Sequence, residues 1–211
     1  MEGYTSIQSK MALAAESSRV SKNAAVKQFG IGEDLTFTLF GWYGDSLVVV
    51  ANMNHDMMRI DPFERIKLVH KAACLIKRTW DVSDFTFMAE AFCSLDINAT
   101  RGKSLRELFI EGEAPVKECL TFTHVNDTEV ELVTLPYHYV PLAGKKIEWD
   151  EPLHNSAAAG LRNVELVQSL MDALTLDPTL VDPETVEMVD FYLEVSTALE
   201  KLGFTAQWQF T

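Results

Sequence analysis

From Leu35 the apolar residues of the chain fall on a period of two, and that rhythm limits the fold more than any single residue does. Leu35, Phe37 and Leu39 alternate with Thr36, Thr38 and Phe40, the pattern by which a strand turns one face to a core. Leu47 to Val50 is a second, continuous apolar run. Gly44 and Asp45 join the two, and glycine supplies the positive φ that a tight hairpin turn needs. The stretch FTLFGWYGDSLVVV therefore reads as a hairpin before it reads as the loop of an active site. The period returns in DFTFMAEAFCSLD, where Phe85, Phe87, Ala89, Ala91 and Cys93 alternate with Thr86, Met88, Glu90 and Phe92. This predicts a largely buried strand in which Glu90 is the odd residue.

Two more strands, Glu118 to Val125 and Thr128 to Leu135, flank Asn126-Asp127, which reads as a two-residue turn. That register would set His124 opposite Glu129 and Phe122 opposite Glu131. PYHYVP and KKIEWDEP read as irregular or edge segments, since proline cannot donate to a central ladder. The final FTAQWQFT alternates again, Phe204, Ala206, Trp208 and Phe210 against Thr205, Gln207, Gln209 and Thr211. Such a strand needs a sheet edge, in its own domain by preference or in a neighbour by strand addition.

Helical spacing fills the gaps. Ile7, Met11 and Ala14 predict a short N-terminal helix or arm that gives way to loop at SSRVSKN. Asp61 can cap a helix with Pro62 in its first position. Phe63, Ile66, Val69, Ala73, Ile76 and Trp80 then give that helix a broad apolar face. SLRE at Ser104 to Glu107 is a capping box for a short helix ending near Gly112. Leu161, Val164, Val167, Met171 and Leu174 mark one C-terminal helix. Met188, Tyr192, Val195, Leu199 and Leu202 mark another, begun by Asp182-Pro183 and closed by Gly203.

The fold class expected is α+β: a mostly antiparallel sheet of five or six strands, one long helix across it, and a C-terminal helical pair followed by a terminal strand. The units would be 1–32, an N-terminal helix or arm; 33–152, the sheet core; and 153–211, an acidic helical pair with its strand.

At 211 residues, 47% hydrophobic and 23% charged, the chain can bury a substantial core. Met11 to Ala15 is too short for the apolar stretch of a signal peptide, and no run reaches membrane-helix length. Cys74, Cys93 and Cys119 are odd in number, lack CxxC spacing and lie in apolar contexts. They read as reduced, buried thiols, which fits a cytoplasmic location. The net charge is −13 and uneven: residues 148–200 carry 12 acidic residues against one basic, Arg162. That field disfavours direct nucleic-acid binding and would steer a basic protein partner, although a solvated acidic surface is the plainer explanation.

For chemistry, the loop after the second strand offers His55 and Asp56, with Glu90 arriving from a neighbouring strand. His124 and Glu129 form a second acid-base candidate. The structural alternatives are a polar turn leading into a capped helix for His55 and Asp56, and a residue partnered by a lysine of the neighbouring helix for Glu90. GKS at Gly102 to Ser104 lacks the glycine a phosphate loop needs five positions earlier, where Ile97 stands. Gly30-Ile31-Gly32 precedes a strand and lacks a third glycine. No cofactor and no metal is assigned. Partner-binding candidates are the aromatic Phe204, Trp208 and Phe210 and the basic stripe Lys67, Lys71 and Arg78.

The order of hairpin with GWYGDS, helix, strand, polar loop and hairpin over residues 35 to 140 resembles that of small uncharacterised proteins of actinobacteria and their phages. Those proteins have no settled activity to carry over. The resemblance implies a phage-related or accessory protein, in a host cytoplasm or a virion. The expectation is a non-enzymatic protein-interaction or assembly protein, self-association included, that acts through its acidic helices and its terminal strand. The alternatives are a metal-dependent hydrolase using His55, Asp56 and Glu90, and an acidic decoy of a nucleic-acid-binding protein.

Overall fold

The computed structural model describes residues 6–30, 34–94, 104–111, 116–140, 146–156, 164–178 and 188–208. In chain order the elements are α1 (Ser6–Phe29), β1 (Thr38–Tyr43), β2 (Ser46–Met53), a 3-10 turn (His55–Arg59), α2 (Pro62–Trp80), β3 (Asp84–Ser94), α3 (Leu105–Glu111), β4 (Val116–Val125) and β5 (Val130–Tyr139). There follow β6 (Ile147–Trp149), β7 (Leu153–Ser156), α4 (Val164–Leu174), α5 (Met188–Lys201) and β8 (Phe204–Trp208). The strands make one sheet in the order β6-β5-β4-β3-β1-β2-β8, with β7 also paired to β5. Every pairing is antiparallel. The fold is α+β, with eight strands among the described residues where five or six were expected.

The first hairpin forms as its alternation requires. Gly44 takes φ +54° in the two-residue turn between Tyr43 and Ser46, a value that suits glycine. The ladder slips by one between Gly41 and Trp42. A Cβ at Gly41 would lie 2.7 Å from Val49 Cγ1, so the bulge is packed shut from the α2 side.

The second hairpin differs from expectation. β4 and β5 are joined by four residues, not two, and the register moves accordingly: His124 faces Glu131 and Phe122 faces Val133. Asn126 is the reason. Its Oδ1 accepts from Thr128 N at 2.9 Å and Glu129 N at 2.6 Å, while Asn126 N donates to Glu129 O at 3.1 Å. This side-chain turn closes the loop before Asn126-Asp127 can form a tighter one. The pairing of His124 with Glu129 is thereby corrected.

Pro136 lies inside β5, in a stretch expected to be irregular or an edge segment. β7 pairs residues 131–134 of β5, and β6 pairs 137–139, on the same outer edge. Pro136 falls at the seam between them, where its carbonyl accepts from Asp150 N at 2.9 Å. Its ring nitrogen points outward with that carbonyl, so no hydrogen bond to β4 is lost.

Both faces of the sheet are covered. On one, Leu39, Val49, Ala51, Phe85, Phe87 and Val125 pack with Val69, Ala72, Ala73 and Ile76 of α2, Leu166, Val167 and Leu170 of α4, and Val195 and Leu199 of α5. Asp61 caps α2 through Phe63 N and Glu64 N. Phe63 itself turns to solvent, and so does Val164 of α4, whose buried stripe is Leu166, Val167, Leu170 and Ala173. Leu161 and Asp182-Pro183 lie outside the described residues, as do the side chains of Met188 and Tyr192.

On the other face Phe40, Trp42, Met88, Leu120, Phe122, Leu135 and Tyr137 pack against Met11, Ala14 and Val26 of α1. That helix runs unbroken for 24 residues, through the SSRVSKN segment expected to be loop. Its buried positions include Lys10, Ala14, Ser18, Lys22 and Val26, one every four residues. The period is helical although two of its members are lysines.

Candidate functional site

Alternation along β3 sends Asp84, Thr86, Met88 and Glu90 to the α1 side. Lys10 Nζ lies 2.7 Å from Asp84 Oδ2, and Lys22 Nζ lies 2.6 Å from Glu90 Oε1. Twelve residues of helix rise about 18 Å and six residues of strand about 20 Å, so two clamps fit only if α1 runs parallel to β3. Each lysine needs its carboxylate, since an unpaired buried charge is costly.

Around the first clamp the polar groups form a chain. Trp42 Nε1 donates to Thr86 Oγ1 at 3.0 Å, Thr86 Oγ1 lies 2.9 Å from His124 Nδ1, and His124 Nε2 lies 3.5 Å from Asp84 Oδ1. Thr86 can donate to His124 Nδ1 while accepting from Trp42, and Nε2 faces the Asp84 carboxylate without a hydrogen-bond partner among the described residues. Burial pushes the Asp84 carboxyl up, but the facing His124 and the hydrogen bonds from Lys10 and Ser83 outweigh it and hold the group at about 2. Around the second clamp, Glu90 also accepts from Tyr137 Oη and from Leu35 N. Burial, then repulsion from Glu90 and Asp34, raises the carboxyl of neighbouring Glu118.

The candidate acid-base residues are thus placed as follows. His124 and Glu90 share a face but not a site, because His124 stands opposite Thr86 and Glu90 opposite Leu120, four positions farther along β3. His124 is fully buried and Lys22 covers Glu90. His55 and Asp56 are exposed on the 3-10 turn leading to α2, the helix of the opposite face, and Glu129 is exposed in the β4–β5 loop. Among the described residues, no three His, Cys, Asp or Glu side chains are grouped as a metal ion would need. No helix of the described residues is long and apolar enough to cross a membrane.

The partner candidates divide. Phe204 is in the core, pairing with Met53 of β2, and Trp208 stacks on Trp80 with centroids 4.4 Å apart. β8 therefore sits at the edge of its own sheet with its aromatic side turned inward. Phe210 lies outside the described residues. Lys67, Lys71 and Arg78 are exposed along α2, and Lys67 pairs with Glu64.

Because the clamps hold α1 over β3, the α1 side of β1, β2 and β8 is left partly open. A cleft of about 300 Å³ remains there. Leu13, Ser17, Ser18 and Ser21 of α1 form its wall; Phe40, Val50, Asn52 and Met88 form its floor; Leu35, Thr36 and Thr38 close one side, and Gln207 of β8 stands at the rim. Thr38 Oγ1 donates to Asn52 Oδ1 at 2.9 Å, which leaves the Asn52 amide hydrogens as donors. Among the described residues, no charged side chain lines the cleft. Sequence reasoning missed it, because it depends on where α1 crosses the sheet. The signal that could have found α1 is the four-residue repeat of Lys10, Ala14, Ser18 and Lys22.

Set beside known proteins, the chain matches no family model, no curated protein and no solved structure.

Proposed function

We propose that the chain is a non-enzymatic interaction protein that takes an uncharged, extended peptide segment of a protein partner into the cleft between α1 and the β1–β2–β8 half of the sheet. The observation that carries this reading is the cleft's lining: hydroxyl and amide side chains above an apolar floor, with no charge among the described residues. Hydroxyls and amides match the N–H and C=O groups of a peptide backbone, and Phe40, Val50 and Met88 can receive its apolar side chains. At about 300 Å³ the cleft is at the small end for a ligand pocket, which ranges over roughly 300–1,000 Å³. That size suits the anchoring side chains of a segment better than a whole cofactor. A segment leaving the cleft past Gln207 meets the outer edge of β8, which no other strand of the described residues pairs, so strand addition can extend the sheet there.

The acid-base candidates support the same reading. His124 and Glu90 are engaged in holding α1 in place, while His55 and Asp56 share one exposed turn and Glu129 stands on another. Glu165, Asp172, Glu194 and Glu200 are exposed on α4 and α5, so a partner with basic flanks would be steered toward the molecule. The resemblance to phage and actinobacterial proteins makes a phage-associated partner part of the proposal, and the chemistry of the cleft does not depend on it.

The test is a selection of random-sequence peptides on the intact chain, followed by affinity measurement on the wild type and on Ser17→Trp, whose indole would occupy the cleft. The expected result is a set of binders uncharged at their centre that lose about tenfold or more in affinity, some 1.4 kcal/mol, on the variant. Binders indifferent to Ser17→Trp, or no enrichment at all, would overturn the reading.

A further inference from the structure

Two of the three thiols are brought together by the β3–β4 ladder, at the end of the sheet away from the first clamp. Cys93 stands opposite Lys117 and Cys119 opposite Ala91, so the cysteines are diagonal neighbours on the same face, the one turned away from α1. Cys119 is fully buried and Sγ lies 3.4 Å from Ala91 O, while Cys93 is only partly buried. Lys117, directly across from Cys93, is held by Asp150 at 2.5 Å.

We propose that Cys93 and Cys119 form a reversible redox pair, with Cys93 the residue attacked by a peroxide and Cys119 the residue that resolves it. The asymmetry of the site supports these roles. The neighbouring Cys119 side chain lowers the Cys93 thiol from its ordinary value, with Lys117 adding to the effect, while Cys93 and burial push the Cys119 thiol up. Cys93 is therefore the better thiolate and the more accessible sulfur.

The chemistry balances within the pair and one peroxide. The Cys93 thiolate attacks one peroxide oxygen; the O–O bond breaks, its electron pair leaves with the other oxygen, which takes a proton, and Cys93 becomes a sulfenic acid. Cys119 then attacks Cys93 Sγ; the S–O bond breaks, and the departing hydroxide leaves as water with the Cys119 proton. Two electrons pass from the two sulfurs to the peroxide.

Diagonal neighbours in a regular ladder have Cα atoms roughly 7–8 Å apart, beyond the usual disulfide span of roughly 4.4–6.8 Å. Closing the bond draws the ends of β3 and β4 together, across the connection that carries α3. A bond formed at that cost is easily reduced. Cys74 is the internal control: it lies on α2 against His70, with Sγ 3.5 Å from Nε2, and burial raises its thiol.

The experiment treats the intact chain with hydrogen peroxide, denatures it, alkylates the free thiols and maps the products by mass spectrometry. The expected result is one alkylated thiol, Cys74, with the Cys93 and Cys119 peptides joined, and full alkylation restored by dithiothreitol. Cys93→Ser should leave both remaining thiols alkylatable. Wild-type protein in which Cys93 and Cys119 stay alkylatable at doses that oxidise Cys74, or in which the bridge joins two molecules, would overturn the proposal. The wild-type map decides the matter even if a variant fails to fold.

Discussion

Lys10 and Lys22 are the residues on which the placement of α1 turns, and each depends on one carboxylate. Lys10→Met would leave Asp84 buried beside a half-satisfied His124, so it should cost about 3–5 kcal/mol, the range for breaking a buried pair. The double variant Lys10→Met, Asp84→Asn should lose less than Lys10→Met alone, a difference that urea denaturation reads directly. Asp84 also sets a pH dependence. Its folded value of about 2 lies below its ordinary 3.8, so its contribution is present above pH 4 or so and is lost as pH falls toward 2. That contribution is about 2 kcal/mol, and Asp84→Asn should flatten the acid limb over that window. Little of this was legible in the sequence. Glu90 was visible as a charge in an apolar strand, but the lysine that pairs with it, Lys22, stands in the SSRVSKN segment expected to be loop. Asp84 gave no sign, because Lys10 lies 74 residues away and nothing local records that distance.

The elements that declared themselves are those whose signals are local. Asp61-Pro62 caps α2, Ser104 and Glu107 close the capping box that starts α3, and Gly203, at φ +83°, ends α5. The period of two found the strands that it marked. Two elements went astray for identifiable reasons. α1 buries lysine, serine and alanine, so its hydropathy is low and only tertiary pairing makes its inner stripe a core face. The β4–β5 loop was misjudged because asparagine serves both two-residue turns and side-chain turns, and only the second uses Oδ1 as a triple acceptor. Asn126→Ala should therefore destabilise by about 1 kcal/mol, whereas Asn126→Asp, which keeps the acceptor, should be close to neutral. Thermal unfolding of the two variants separates these outcomes.

At the scale of the molecule, the chain closes on itself. β8 reaches back to pair with β2, and it brings Phe204 into the core and Trp208 onto Trp80. A version ending at Gly203 should lose several degrees of melting temperature or its cooperative transition, because it opens the core beneath Phe204 and bares β2. A truncated chain that melts like the wild type would contradict that role. The sequence made this strand legible and favoured its own sheet, but it could not show that its aromatic side faces inward. What β8 offers outward is Thr205, Gln207 and a backbone edge, beside the cleft that α1 leaves open. The most direct test of peptide capture there is a titration of the isotope-labelled intact chain with a selected peptide, followed by amide chemical shifts. The expected result is a contiguous set of shifts at Ser17, Ser21, Thr38, Asn52 and Gln207; shifts confined to the α2, α4 and α5 face or to the His55–Arg59 turn, with the cleft unmoved, would contradict it.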